Sequence, residues 1–163
     1  VIISNRIPEE PQQDAFSTST VVDLNKVPVV PVEVNIVPEL TEDMGERYIR
    51  QLSRIFVERF ASVSNQNGNR HIDDVLPLTT PAMALWLESQ RQETSLQYEG
   101  VSTQVIASKL VSITDNGATV TVDVQQIQES MSGQQIVQKT GRVELKKING
   151  EWKVNGLYWD KQE

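Results

Sequence analysis

The chain has 163 residues, enough for one compact domain plus an arm, and a globular chain of that size buries roughly two-thirds of its unfolded surface without a metal or disulfide staple. Its 38% apolar, 23% charged and 6% aromatic residues are those of an ordinary soluble protein, and 15 basic against 22 acidic residues (net charge −7) argue against binding along a nucleic-acid backbone. The lack of cysteine excludes thiol catalysis, Cys-ligated zinc and iron–sulfur clusters, and a single histidine excludes any site needing two His ligands.

No apolar run reaches the length of a membrane span, and no signal peptide is evident. The chain begins at Val1 rather than Met, so it reads as part of a longer product, with Val1-Ile2-Ile3 as the last trace of an upstream anchor. Residues 1–40 form a Pro-rich segment. They hold five of the seven prolines (Pro8, Pro11, Pro28, Pro31, Pro38) and two basic against six acidic residues. Its first half reads as a linker; Val27 to Val37 is apolar and β-branched, and its prolines allow an edge strand or an extended arm laid on the core but no central strand.

Residues 41–163 read as one α+β domain. A helix is predicted over 41–63, about 34 Å long, with Thr41 as N-cap and Glu42 and Asp43 in its first turn. Met44, Tyr48, Leu52, Ile55, Phe56, Phe60 and Val63 recur at the helical period and form its predicted buried face. Asp43–Arg47, Glu46–Arg50 and Arg54–Glu58 are i,i+4 pairs on the opposite side. A short helix over 71–76 stops before Pro77. Thr80 then caps a helix starting at Pro81 and running to about Gln97, with Ala82, Leu85, Trp86 and Leu96 on its apolar face.

From Val101 the period falls to two. Val101, Thr103, Val105, Ala107, Val111 and Ile113 are predicted to share one face of a first strand, closed by an Asp115-Asn116-Gly117 turn. Val120, Val122 and Val124 alternate in the second, and a phase slip at Gln125-Gln126 predicts a β-bulge there. Ser132-Gly133 turns the chain into a third strand with Gly141 as a kink. Asn149-Gly150, the strongest hairpin signal, leads into a last strand over 152–159. The expected architecture is therefore helices packed in a bent four-stranded antiparallel meander, a cone-like α+β fold.

Helices followed by a bent meander ending in Asn149-Gly150-Glu151-Trp152-Lys153-Val154 resemble the nuclear transport factor 2 (NTF2-like) superfamily, which implies a cone-shaped fold over about 41–161. The superfamily includes isomerases, dehydratases, ligand binders and scaffolds, so the fold alone names no activity. A narrower resemblance comes from the arm, Leu24-Asn25-Lys26-Val27-Pro28-Val29-Val30-Pro31, and from Asn155-Gly156-Leu157-Tyr158-Trp159. Together they look like the periplasmic part of bitopic type IV secretion and conjugation proteins, the relatives of the eighth VirB component, DotI/TraM and TraE. That resemblance implies a single-pass anchor upstream, a place on the periplasmic face of the inner membrane, and contacts with other secretion-channel proteins and with further copies of itself. The family's Asn-Pro-x-Gly loop is absent, since Gly156 follows Asn155, which points to the divergent conjugation branches.

Four groups of residues invite a chemical reading. His71, Asp73 and Asp74 have the composition of an acid/base or weak metal cluster, but their spacing fits a helix start with solvated carboxylates better. Asp123 and Tyr48 are the pair an isomerase pocket would use, yet Asp123 alternates with valines and so points outward. Arg47, Arg50, Arg54 and Arg59 fit a solvated helix face. The fourth group is apolar: Ile106, Leu110, Leu157 and Trp159 are predicted opposite the main apolar face, and two-sided apolar strands need a second cover, either the arm or a partner. The expected function is thus a non-enzymatic interaction domain without catalytic, cofactor or metal residues, whose partner interface includes those four. The alternative is a small-molecule binder or isomerase using the cone. Phe56, Phe60 and Trp86 filling the cone would favour the first, and a roomy cone with a buried polar pair the second.

Overall fold

A computed structural model describes residues 43–161; the arm expected over 1–40 and the proposed cap Thr41 lie outside the described residues. Helix α1 (Met44–Phe60) leads into a two-residue strand β1 (Val63–Ser64). A one-turn helix α2 (Arg70–Asp73), a 3-10 turn (Leu76–Leu78) and helix α3 (Pro81–Ser89) follow. The chain then runs through four long strands: β2 (Glu99–Ile113), β3 (Gly117–Ser130), β4 (Gly133–Ile148) and β5 (Glu151–Trp159). The sheet is antiparallel in the order β1-β2-β3-β4-β5, so it has five strands rather than the expected four. The extra one pairs Val63 with Val101 and Ser64 with Gly100, and two residues are too few for an alternation to be visible in sequence.

Helix α1 is 17 residues long and starts after Asp43. Its core face is Ile49, Leu52, Ser53, Phe56 and Val57, rotated from the predicted stripe. Met44 is 85% exposed and Tyr48 54% exposed, while Ile49 and Val57 are fully buried. Apolar residues cover more than half of the helix circumference, and the sheet takes only the sector nearest its valines. The ion pair Arg54–Glu58 forms as expected at 3.2 Å.

Helix α3 begins as its sequence dictates, with Pro81 at the first position and the Thr80 hydroxyl accepting from the Met83 amide at 3.2 Å. It stops at Ser89, about two turns short of Gln97. Asn69 provides the physical reason: its side-chain amide bonds both the N–H and the C=O of Gln92 at 2.9 Å, pulling that residue out of helical register. The side chains presented to the core are Met83 and Leu87. The predicted face Ala82, Leu85, Trp86 and Leu96 is exposed, Trp86 at 43%.

The bulges lie elsewhere than at Gln125-Gln126, where β3 pairs continuously with β4. Two occur in β2, leaving Ile106 and Val111 without register partners. A third sits in β5, where Leu145 pairs with Val154 and Glu144 with Gly156, so Asn155 is the extra residue. Gly141 is no kink either: it is buried under the Trp159 ring, and a Cβ there would come within 2.8 Å of that ring. The Asn149-Gly150 turn has the expected geometry, with positive φ at both residues (51° and 82°). The core sits between α1 and the inner face of β3–β5, built from Phe56, Val57, Val120, Val122, Val124, Val143, Leu145 and Val154, all buried.

Candidate interaction surface

The Asn155 bulge decides which side chains the last strand shows to the core. Cross-strand partners share a face. Leu157 pairs with buried Val143 and Trp159 with buried Gly141, so both lie on the inner face, partly buried against the core. Leu110 pairs with buried Val120 and is also on the inner side. Of the four residues expected on an outer apolar face, only Ile106 is mostly exposed, at 58%. The outer face of β3 and β4 also carries Thr119, Thr121, Gln125, Gln138 and Thr140, with Ile136, 62% exposed, opposite Ile127. Strict alternation counted from Trp152 assigns Leu157 and Trp159 to the wrong face because it carries no bulge.

The polar candidates are dispersed. Asp73 and Glu88 both hold Arg91, at 2.6 and 2.5 Å, in a clasp that ties α2 to α3. Glu88 is held below the usual carboxylate range by its bonds to Arg91. His71 packs near the Phe60 ring (6.1 Å between centroids), where burial and then Arg91 lower its pKa, partly opposed by Asp73. Among the described residues no three His, Asp or Glu side chains sit where they could share a metal ion. Asp123 is exposed and accepts a hydrogen bond from Thr140 Oγ1 at 2.7 Å. Arg50 reaches Ser108 Oγ at 3.3 Å.

Fully buried Phe56 stacks on the partly buried Phe60 at 5.6 Å, and Phe60 meets the 43% exposed Trp86 at 5.8 Å, so the aromatic row runs from the core out to the surface of α3. The buried polar side chains among the described residues are neutral: Ser53, Thr79, Thr80, Thr103 and Gln126. They are satisfied internally: Gln126 Nε2 donates to Thr103 Oγ1 (3.1 Å), which donates to Ala61 O (2.6 Å).

The two sheet edges differ. On the β2 side, α1 and the residues after it supply acceptors to the strand's outward amides: Glu58 Oε1 takes the Val105 N–H at 3.0 Å and Ser62 Oγ the Thr103 N–H at 2.9 Å. On the β5 side, Thr79 forms a parallel bridge with Val154, and the Thr80 amide donates to Val154 O at 2.9 Å. Pro81 then turns the chain away into α3. From Gly156 to Trp159 the edge has no strand neighbour among the described residues, and a groove of about 480 Å³ opens there. Its walls are Met83 and Trp86 from α3 and Leu157 and Tyr158 from β5, with Lys146 and Asn155 at its rim. A sequence reading misses this groove because it depends on the bulge and on where α3 leaves the sheet.

The architecture is a long antiparallel sheet packed on one long helix, with two shorter helices beside it. No protein-family model matches the chain, and no curated protein does. Among solved structures it resembles an NTF2-like protein involved in plasmid conjugation (TM-score 0.53, 10% identity), over 72% of this chain and 50% of that one. It also resembles an IcmL-like type IV secretion system protein from Legionella pneumophila (TM-score 0.53, 6% identity), over 70% of this chain and 91% of that one. The chain thus spans about half the length of the conjugation protein, and at these identities the likeness is one of fold. No helix among the described residues is long and apolar enough to cross a membrane.

Proposed function

We propose that this chain is a non-enzymatic assembly domain of a type IV secretion or conjugative transfer machine, working through protein–protein contacts on the periplasmic side of the inner membrane. The observation that carries the reading is the packed core: Phe56, Val57, Val120, Val122, Val124, Val143 and Val154 are fully buried between α1 and the sheet, with Phe60 stacked on Phe56. The buried polar side chains among the described residues are neutral and bonded to one another or to the backbone, as Gln126 is to Thr103. The likeness to a conjugation protein and to a secretion-system protein supports the cellular setting. Apolar side chains left exposed on the helices, Met44, Tyr48, Leu85 and Trp86, are the material of a docking surface for channel components or further copies of the chain.

The test is fractionation of the native full-length product, followed by protease treatment of spheroplasts and crosslinking. The expected result is a membrane-bound protein whose domain is digested from outside and which crosslinks to secretion-channel proteins. A freely soluble cytosolic product would overturn the proposal and turn attention to ligands of the domain.

A further inference from the structure

We propose that the groove between α3 and the open end of β5 takes an extended, acidic segment of a partner protein as an added strand. The inference rests on the assembly reading and names the site and chemistry of the contact. Three observations carry it. The first is backbone chemistry: Thr79–Thr80 already lies beside β5 as a strand-like neighbour and leaves at Pro81, so the groove occupies the place where that neighbour would continue. An unpaired strand edge is a ready template for another strand. The second is shape: Trp86, Tyr158 and Leu157 line the groove with aromatic and apolar surface against which side chains of an extended segment can pack. The third is charge: among the described residues Lys146 is the one ionised side chain lining the groove, while Arg142, 5.2 Å from the Tyr158 ring centroid, is paired with Glu144 at 3.5 Å, so the local excess is one positive charge.

The same charge argues against a second copy as occupant. Two-fold pairing of β5 with β5 would bring Lys146 of one copy toward Lys146 of the other. Head-to-tail pairing with the β2 edge is opposed because Glu58 and Ser62 already hold the Val105 and Thr103 amides of that edge.

The experiment is an amide chemical-shift titration of the full 163-residue chain with the capped peptide acetyl-Thr-Val-Glu-Val-Thr-Val-amide and its Lys-for-Glu counterpart. Expected are shifts confined to Asn155–Trp159 and the Trp86 indole N–H. The Glu peptide should bind about tenfold or more tighter than the Lys peptide, as one charge-assisted contact gives. Lys146→Glu, an exposed position whose reversal leaves the core intact, should invert that preference, while Lys109→Glu should not. Absence of shifts at β5, equal affinity for the two peptides, or shifts that appear on raising protein concentration alone, as a second copy would give, each overturns the proposal. Failure of the secretion reading is distinguishable: a soluble cytosolic protein that still binds the Glu peptide at β5 retains the groove and loses the machine. A membrane protein that crosslinks to channel components equally well as Lys146→Glu retains the machine and loses the groove.

Discussion

Thr103 and Gln126 form a buried polar pair inside a valine-rich sheet, and the cost of disturbing it depends on which partner goes. Thr103 Oγ1 both accepts from Gln126 and donates to Ala61 O, so Thr103→Val strands a buried amide and a carbonyl together. That change is expected to cost about 1–3 kcal/mol, whereas Gln126→Leu leaves Thr103 bonded to Ala61 and costs less. Urea midpoints should show the double variant recovering part of the loss, a coupling that two independent sites would not give. His71 sets a different residue-level expectation. Burial and Arg91 hold its pKa below 6.5, so the folded state binds a proton less readily than the unfolded state. Its contribution to stability is therefore complete above pH 6.5 and declines as pH falls from there through the lower, folded-state value. Unfolding free energies measured between pH 7.5 and 5 should fall less steeply in His71→Gln than in the parent. Parallel profiles would show that the imidazole has no part in the decline.

At the scale of elements, what could be read in advance was whatever local chemistry decides. Thr80-Pro81 starts α3 where expected and Asn149-Gly150 turns where expected, because capping and positive-φ preferences act within a few residues. The order of helices and the long meander were legible for the same reason. What was not legible depends on distant partners. Asn69 ends α3 by reaching Gln92, the sheet chooses which sector of α1 to bury, and Asn155 adds a residue that shifts the phase of β5. The expected outer placement of Leu157 and Trp159 fails at that bulge, which turns both inward. Deleting Asn155 tests the point. It should leave regular alternation with Leu157 still opposite Val143 and Trp159 still opposite Gly141, so both keep their packing and the loss is that of the Asn155 bond to Thr80, about 1 kcal/mol. Asn155→Ala keeps the residue count and loses only the bond from Thr80 Oγ1 (3.0 Å), so it should cost about 1 kcal/mol. Similar urea midpoints for the two variants are expected, and a deletion far more costly than the alanine variant would show that Asn155 is not the inserted residue that sets the phase of Leu157 and Trp159.

An open sheet has two edges, and this molecule treats them asymmetrically. On the β2 side the bulges at Ile106 and Val111 break the regular ladder, and Glu58 and Ser62 occupy outward amides nearer the strand's start. Both are devices that stop strands of neighbouring molecules from adding on. On the β5 side the edge past Val154 has no strand neighbour among the described residues. Leaving one edge receptive is compatible with a defined assembly only if the other is refused, since two receptive edges on one chain join head to tail without closing. Glu58→Ala with Ser62→Ala removes the refusal by freeing the Val105 and Thr103 amides. Sedimentation over a range of concentrations should then show open-ended association beyond whatever state the parent adopts. Glu58→Gln alone retains an oxygen acceptor at the same place and should sediment like the parent. Adding Lys146→Glu to the double alanine variant alters the receiving edge and should change the new association without restoring the amide acceptors. A double alanine variant that sediments as the parent does at every concentration would mean that the bulges alone protect β2, and that the acceptors serve only to hold α1 against the sheet.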